Sequence, residues 1–225
     1  HAKQCVSEFH YKWLGSIPPA EPDGDGKDIL FDAISSYADL TIVSGAALGN
    51  IGALLDKDVV VNKMVIQGGF AGDNIVAEHL RLDKFKGKIT CPTFNLNGDV
   101  NAALKVLASN KISEKRCVSK NVCHGVVYDL EMHKFIEPFK DNNLGLSLMF
   151  AGMDVYLNNR PSGKAFHDPL AACVAIDNSI CDFAYVELYR ERGEWGSRYS
   201  DNLNTYISTS VNMDKFKQTL VGLME

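Results

Sequence analysis

The hydrophobic residues of this chain fall into two kinds of segment that alternate along its first half. Segments with the spacing of an amphipathic helix cover residues 29–34, 49–55 and 100–107, and mostly apolar runs cover residues 40–43 and 63–66. Short apolar runs without polar alternation are typical of strands that are buried on both faces of a parallel sheet. The alternation therefore predicts an α/β fold with a mostly parallel sheet flanked by helices.

The remaining segments extend this prediction and mark the domain. We expect a strand at 116–123, helices at 144–157, 168–176 and 213–224, and two antiparallel late strands at a sheet edge, at 185–188 and 206–209. The charged residues 73–92 are expected to form an excursion on the surface. Residues 1–27 are rich in Pro and Gly and have no sustained period, so they predict an N-terminal arm before one domain at residues 28–225.

The composition is that of an ordinary globular protein. The chain has 225 residues, of which 46% are hydrophobic and 23% charged, and a formal net charge of −5. No apolar run approaches the roughly 20 residues needed to cross a bilayer, and no dense Lys and Arg cluster is present to follow a nucleic-acid backbone. We therefore expect neither a membrane nor a nucleic acid as a partner. The lack of an Asn-x-Ser/Thr acceptor and of a leader-like segment at His1 favours the cytoplasm.

The cysteines are scattered, without a Cys-x-x-Cys pair or a zinc-like grouping. They are Cys5, Cys91, Cys117, Cys123, Cys173 and Cys181. This spacing favours ordinary buried thiols over a metal or redox site. Surface positions or satisfied core positions are likewise expected for four histidines, which are His10, His79, His124 and His133.

One corner of the chain carries an ionisable pair, His167-Asp168, just before Pro169 and an apolar helix. Taken alone, Asp168 predicts a helix N-cap with Pro169 at the first helical position. Three further segments favour a pocket at this corner instead. They are Ala47-Leu48-Gly49-Asn50-Ile51, Val65-Ile66-Gln67-Gly68-Gly69 and Phe94-Asn95-Leu96-Asn97-Gly98-Asp99. In their order and spacing, the four segments resemble the inosine-uridine nucleoside hydrolase family over about residues 28–225.

The resemblance implies hydrolysis of the N-glycosidic bond of a ribonucleoside by a calcium-dependent site at the carboxyl ends of the parallel strands. In such a site Ca²⁺ holds the ribose 2′- and 3′-hydroxyls and orients a water. Asp168 matches the C-terminal calcium ligand of the family, and Gly45, or Ala46 beside it, matches the position whose backbone carbonyl binds the ion. His167 matches the histidine that lies beside the base and assists its departure.

The same resemblance implies four residues that line the substrate. Asn95 matches the asparagine that contacts the ribose hydroxyls, and Asn74 matches a second ribose contact. Asn121 matches a polar residue at the end of the next strand, and Thr93 stands where the family usually has a glutamate that faces the ribose 5′ end. Trp195 is open to two interpretations, which are stacking on the base and packing in the core.

One element of the family pattern is absent from the 225 residues. It is the aspartate cluster of the type Asp-x-Asp-x-Gly-x-Asp-Asp, which supplies the catalytic base and most carboxylates of the metal site. We therefore expect the chain to be one piece of a longer precursor, with its site completed by an N-terminal fragment. Asp23 and Asp25, in a Pro-rich loop, are the alternative, a relocated metal site.

Functions from different classes remain open at this point. One is a ribonucleoside hydrolase whose site is completed by the fragment, and the other is a catalytically inactive binding or scaffold protein that kept the fold. An enzyme of altered specificity is a third, because Thr93 changes the surroundings of the ribose 5′ end. The resemblance also implies a small-molecule nucleoside as substrate and a homo-oligomeric state, and the preferred base is not indicated.

Overall fold

The computed structural model describes residues 21–201 and 204–223. Its strands are β1 (Thr41–Ser44), β2 (Val61–Gln67), β3 (Thr90–Cys91), β4 (Ile112–Val118), β5 (Val127–Tyr128), β6 (Lys164–Ala165), β7 (Phe183–Glu191), β8 (Glu194–Tyr199) and β9 (Thr205–Ser208). Its α-helices are α1 (Gly26–Ser36), α2 (Gly49–Leu54), α3 (Phe94–Gly98), α4 (Val100–Ala108), α5 (Lys120–Cys123), α6 (Leu130–Ile136), α7 (Leu144–Asn159), α8 (His167–Ile176) and α9 (Met213–Leu220). Short 3₁₀ turns lie at Glu78–Leu80, Asp83–Phe85, Glu137–Phe139 and Asn178–Ile180.

Seven of these strands form one mixed sheet in the order β1-β2-β4-β9-β7-β8-β3. The contacts from β1 to β9 are parallel, and those from β9 to β3 are antiparallel. Ser44 of β1 is level with Ile66 of β2, and Ile66 is level with Cys117 of β4. The carboxyl ends of three adjacent parallel strands therefore lie side by side, which is where open α/β sheets bind ligands.

The burial of β2 explains the apolar run at residues 64–66. Met64, Val65 and Ile66 are all fully buried, and because successive side chains of a strand point to opposite faces, the sheet is covered on both sides here. On the helical layer, α2 packs closely against α4. A Cβ atom on Gly52 would lie 2.8 Å from the Cβ of Ala102, so this approach requires glycine.

The α/β fold is confirmed, and the predicted strand at 116–123 is wrong after Val118, where β4 ends. The chain then turns into the short helix α5. The backbone N–H of Lys120 donates to the Gly69 carbonyl at 3.0 Å, and that of Cys123 donates to the Ser119 carbonyl at 2.9 Å. The first of these bonds is made to a distant loop, so it ends the strand at a point that the local apolar pattern does not mark.

The two late strands, β7 and β9, are antiparallel to each other as predicted. The prediction that they lie at a sheet edge is wrong, because β9 sits between β4 and β7. Strand β8 is not predicted from the sequence. Arg192 and Gly193 form a two-residue turn with φ values of 48° and 88°, and such turns join β7 to β8 as a tight hairpin.

The chain divides into two compact units. One contains residues 26–127 and the chain from Ala165 onward, and the other contains residues 128–164. Within the second unit the ring of His133 stacks on Phe150 with centroids 4.0 Å apart, and its Nδ1 lies 3.0 Å from the Tyr128 hydroxyl, so this histidine is satisfied as predicted. No helix in the described part of the chain is long and apolar enough to cross a membrane.

Candidate active site at the carboxyl ends of the parallel strands

Asp168 and Gly45 lie against each other at the end of β1. Gly45 is the residue after β1, and a Cβ atom placed on it would lie 2.9 Å from Asp168 Oδ1. Asp168 is the second residue of α8, and the residue that precedes the helix is Phe166. Asp168 therefore lies two positions inside the helix, and the alternative interpretation of this residue as the N-cap does not hold. The carboxylate still lies in the first turn of α8, where the helix dipole favours negative charge.

A hydrogen-bonded chain of three side chains lies at the end of β2. Asn95 of α3 is 7% exposed, and its Nδ2 donates to the backbone carbonyl of Gln67 at 2.9 Å and to Gln67 Oε1 at 2.7 Å. Gln67 Nε2 in turn donates to Cys123 Sγ at 3.3 Å. The last residue of β2 thus links the predicted ribose contact Asn95 to the corner that follows β4.

His167 lies beside a second histidine, His124, for which a surface or satisfied core position is predicted from the sequence. The rings of His124 and His167 have centroids 4.4 Å apart and planes inclined by 30°. Phe85 also packs against His124, in an edge-to-face arrangement with centroids 5.4 Å apart. His124 Nδ1 lies 2.6 Å from Lys84 Nζ. This part of the site therefore combines two imidazoles with an ammonium group.

The environment sets the protonation of this cluster. Burial, and secondarily the neighbouring His167 and Lys84, lower the pKa of His124 to about 4, so its imidazole is neutral at pH 7. Burial raises the pKa of the Cys123 thiol to about 12, although the hydrogen bond from Gln67 opposes the rise. Burial also lowers the pKa of Lys84. Each group is thus shifted towards its neutral form.

Three donor atoms of this cluster form a group that could hold a metal ion. Cys123, His124 and His167 each offer one ligand atom, and these atoms all lie within 4.8 Å of one another. The group as a whole could not be predicted from the sequence, because only two of its members are adjacent along the chain. The adjacency of Cys123 and His124 at the end of the predicted strand is the signal that could have indicated it.

The other predicted site residues are placed differently. Asn121 is buried, and its Oδ1 accepts a hydrogen bond from the backbone N–H of Ala71 at 2.9 Å, so it holds the loop after β2. Asn74 is exposed, and its Nδ2 donates to the Ser197 carbonyl of β8 at 2.7 Å. Thr93 is buried directly before α3, and no partner for its Oγ1 lies among the residues that the structure describes.

Trp195 packs in the core. Its side chain is fully buried within β8, and its Nε1 donates to Asn97 Oδ1 at 2.9 Å. A ring that stacks on a nucleobase needs an accessible face, so the geometry favours the packing interpretation. The prediction of buried free thiols is confirmed for the cysteines in the described ranges, and Cys5 lies outside them, as does His10.

Comparison with known proteins identifies the family of the chain. The profile of the family described as inosine-uridine preferring nucleoside hydrolase matches residues 10–218. The chain belongs to this family. An uncharacterized protein of Aquifex aeolicus is 26% identical over 228 aligned residues, which cover 97% of this chain and 75% of that protein. Family membership supports ribonucleoside hydrolysis as the general activity.

Solved structures of nucleoside hydrolases share the fold. A purine-preferring ribonucleoside hydrolase from Gardnerella vaginalis superposes with a TM-score of 0.65 at 19% identity, covering 99% of this chain and 77% of that one. A plant nucleoside hydrolase gives 0.66 at 17% identity, over 98% and 75%. An inosine-uridine preferring enzyme from Bacillus anthracis gives 0.65 at 14% identity, over 93% and 68%. At these identities the likeness establishes the α/β architecture of the family.

Proposed function

We propose that this protein hydrolyses the N-glycosidic bond of a ribonucleoside at the carboxyl ends of β1, β2 and β4. The observation that carries the proposal is the meeting of three elements at one edge of the sheet. Asp168 lies against Gly45 after β1, Asn95 is tied to Gln67 at the end of β2, and Gln67 reaches the corner after β4. This edge is where parallel α/β sheets bind their ligands.

The roles that we propose follow the chemistry of the side chains. Asn95 binds ribose hydroxyls, with its own position fixed by two hydrogen bonds to Gln67. His167 stands on the leaving-group side of the sugar, where an imidazole can donate a proton to the departing base nitrogen. In this reaction the water oxygen forms a bond to the anomeric carbon while the N-glycosidic bond breaks, and the base leaves in its protonated form.

Three further residues are proposed to line the substrate. Thr93 faces the ribose 5′ end, where its hydroxyl, which has no partner among the described residues, offers one O–H donor and two acceptor lone pairs in place of a carboxylate. Asn121 already accepts from Ala71 through Oδ1, so its Nδ2 is the group left for a substrate. Asn74 is held by Ser197, and we keep it as a ribose contact on the family resemblance alone.

Calcium is the metal that the family implies, and it would polarise the ribose hydroxyls and a water when bound. We propose Asp168 and the Gly45 carbonyl as two of its ligands. Ca²⁺ takes six to eight oxygen ligands, whereas the group of possible metal ligands that includes His167, the residue before Asp168, offers the sulfur of Cys123 and the imidazole nitrogens of His124 and His167. These residues alone do not make a calcium site.

We therefore propose that the remaining oxygen ligands and the base for the water come from a separate polypeptide segment, an N-terminal fragment of the same precursor. A homo-oligomer is proposed from the family resemblance only. The competing function is a binding protein without catalysis, which the absence of the aspartate cluster from the 225 residues favours.

Ribose release from inosine and uridine separates these functions when it is measured on two preparations whose content is verified by intact mass. The chain alone should bind calcium more weakly than micromolar in calorimetry and should be nearly inactive, because general-base catalysis contributes about 10² to 10⁴-fold. A preparation that retains an aspartate-rich second polypeptide should release ribose. Binding of nucleosides without turnover in both preparations would favour the binding protein. Submicromolar calcium affinity of the chain alone would contradict the fragment proposal.

A further inference from the structure

The cluster of Cys123, His124 and His167 has a donor set that does not suit the metal of the family. Zinc and related transition metals prefer thiolate and imidazole ligands, whereas calcium prefers oxygen. We infer that these three side chains form a binding site for a soft divalent metal ion of the zinc type, beside Asp168. The inference concerns metal binding by the chain itself and does not depend on nucleoside hydrolysis.

The positions of the three ligands suit a tetrahedral ion. Typical zinc–sulfur and zinc–nitrogen distances of about 2.3 and 2.0 Å place tetrahedral ligands about 3.3 to 3.6 Å apart. The three donor atoms already lie within 4.8 Å of one another, so side-chain movements of about 1 Å close the site. Cys123 and His124 are neighbours at the end of α5, and His167 begins α8, so the ligands come from two rigid elements.

The surroundings orient the ligands. Gln67 Nε2 donates to Cys123 Sγ at 3.3 Å, and hydrogen bonds to a ligand sulfur are typical of the outer layer of metal sites. Phe85 packs against His124 and limits its ring rotation. Three protein ligands leave a fourth position open, as in catalytic rather than structural zinc sites. The exposed carboxylate of Asp168 follows directly after the ligand His167.

Lys84 competes with the metal. Its Nζ lies 2.6 Å from His124 Nδ1, so in this structure the cluster already holds a cation. A divalent ion that enters must act against this ammonium charge or displace it. Removal of the charge by Lys84→Met should therefore strengthen metal binding. Lys84 is exposed, so the substitution should leave the fold unchanged.

Cobalt titration of the full chain tests the site directly. Tetrahedral Co²⁺ bound to a thiolate gives a sulfur-to-metal charge-transfer band and intense visible ligand-field bands, and zinc should abolish both by displacement. Cys123→Ser should remove the charge-transfer band, while the matched variant Cys173→Ser, in another buried free cysteine, should keep it. Bands that are absent, or that persist in Cys123→Ser, would overturn the inference.

The histidine ligands provide a second test for the case in which Cys123→Ser does not fold. His124→Gln and His167→Gln should each weaken Co²⁺ binding by at least about 10-fold, while His133→Gln, in the other unit, should bind as the wild type does. Lys84→Met should bind more tightly, and an unchanged or weaker affinity would contradict the competition. Equal weakening in His124→Gln and His133→Gln would contradict the assignment of His124.

The link to the proposed function is measured separately. In the proposed function, His167 donates a proton to the leaving base, and a metal ion bound to His167 prevents this transfer. Zinc should therefore inhibit ribose release in an active preparation, and Cys123→Ser should lower the inhibition. Co²⁺ spectra in the absence of nucleoside report the metal site alone. Cobalt bands from the chain, together with no ribose release from a preparation that retains an aspartate-rich second polypeptide, would therefore refute the proposed function and support the metal site.

Discussion

Gly45 and Asp168 lie so close together that a single added methyl group at position 45 would meet the carboxylate, with Cβ only 2.9 Å from Oδ1. The backbone of Gly45 does not have a positive φ, so an alanine fits its conformation. Glycine at this position therefore leaves room for the Asp168 carboxylate, and it is not required by the backbone conformation. This contact ties the end of β1 to the first turn of α8.

Gly45→Ala should move the Asp168 carboxylate without unfolding the protein. Asp168 is exposed and can shift, so the free energy of unfolding should change by less than about 1 kcal/mol. Ribose release by an active preparation should fall by about 10² -fold, because a displacement near 1 Å can cost that much. Gly145→Ala, in α7, is the control. Full activity in Gly45→Ala would show that the position of Asp168 is not critical.

Asn95→Asp should destabilise the protein and weaken substrate binding. The substitution replaces Nδ2, which donates to both oxygens of Gln67, by an oxygen that can only repel them. Urea unfolding should show a loss of about 1 to 3 kcal/mol, and the KM for the nucleoside should rise. Asn143→Asp is the matched control, because Asn143 caps α7 through its Oδ1 and aspartate keeps that bond. Equal losses in the two variants would contradict this account of Asn95.

Trp195→Phe should affect stability and leave base preference unchanged. The variant loses the hydrogen bond from Nε1 to Asn97 and part of a fully buried side chain, so unfolding should become easier by about 1 to 3 kcal/mol. The ratio of kcat/KM for inosine to that for uridine should stay constant. A changed ratio at unchanged stability would indicate that the ring contacts the base.

Lys115 should make stability depend on alkaline pH. Burial lowers its pKa to about 8 from the ordinary value of 10.5, so between these values the unfolded chain binds more protons than the folded one. The free energy of unfolding should therefore rise with pH from 8 to 10.5, by about 1 to 3 kcal/mol relative to Lys115→Met. Urea unfolding of both proteins at several pH values measures the difference. A constant difference would mean that the Lys115 pKa is not lowered.

The apolar pattern predicts the parallel part of the fold because Met64, Val65 and Ile66 of β2 are buried on both faces of the sheet. In the edge strand β1 only Ile42 is buried, and Val43 is 44% exposed. The end of β4 could not be predicted in the same way. The chain leaves the strand after Val118 because the N–H of Lys120 donates a hydrogen bond to the Gly69 carbonyl, a group that lies far away in sequence. Local periodicity carries no information about such a bond.

The candidate site could likewise be predicted only in part from the sequence. The residues Asp168, His167 and Asn95 are marked by short motifs that can be recognised in the sequence. Gln67 and Cys123 are not, because their meeting depends on the register between β2 and β4 and on the turn after β4. His124 carries no recognisable motif in the sequence for the same reason, since its neighbour His167 comes from another element.

The central claim is that the edge of the sheet beside Asp168 is a ribonucleoside hydrolase site. The most direct measurement is chromatographic detection of free base and ribose from inosine and uridine, using the preparation that retains all co-purifying polypeptides. The account predicts that both products appear in equal amounts, that Asp168→Asn lowers the rate by about 10² -fold or more, and that Asp177→Asn, directly after the same helix, leaves it unchanged. Equal rates for Asp168→Asn and the wild type, or no products from either nucleoside, would contradict it.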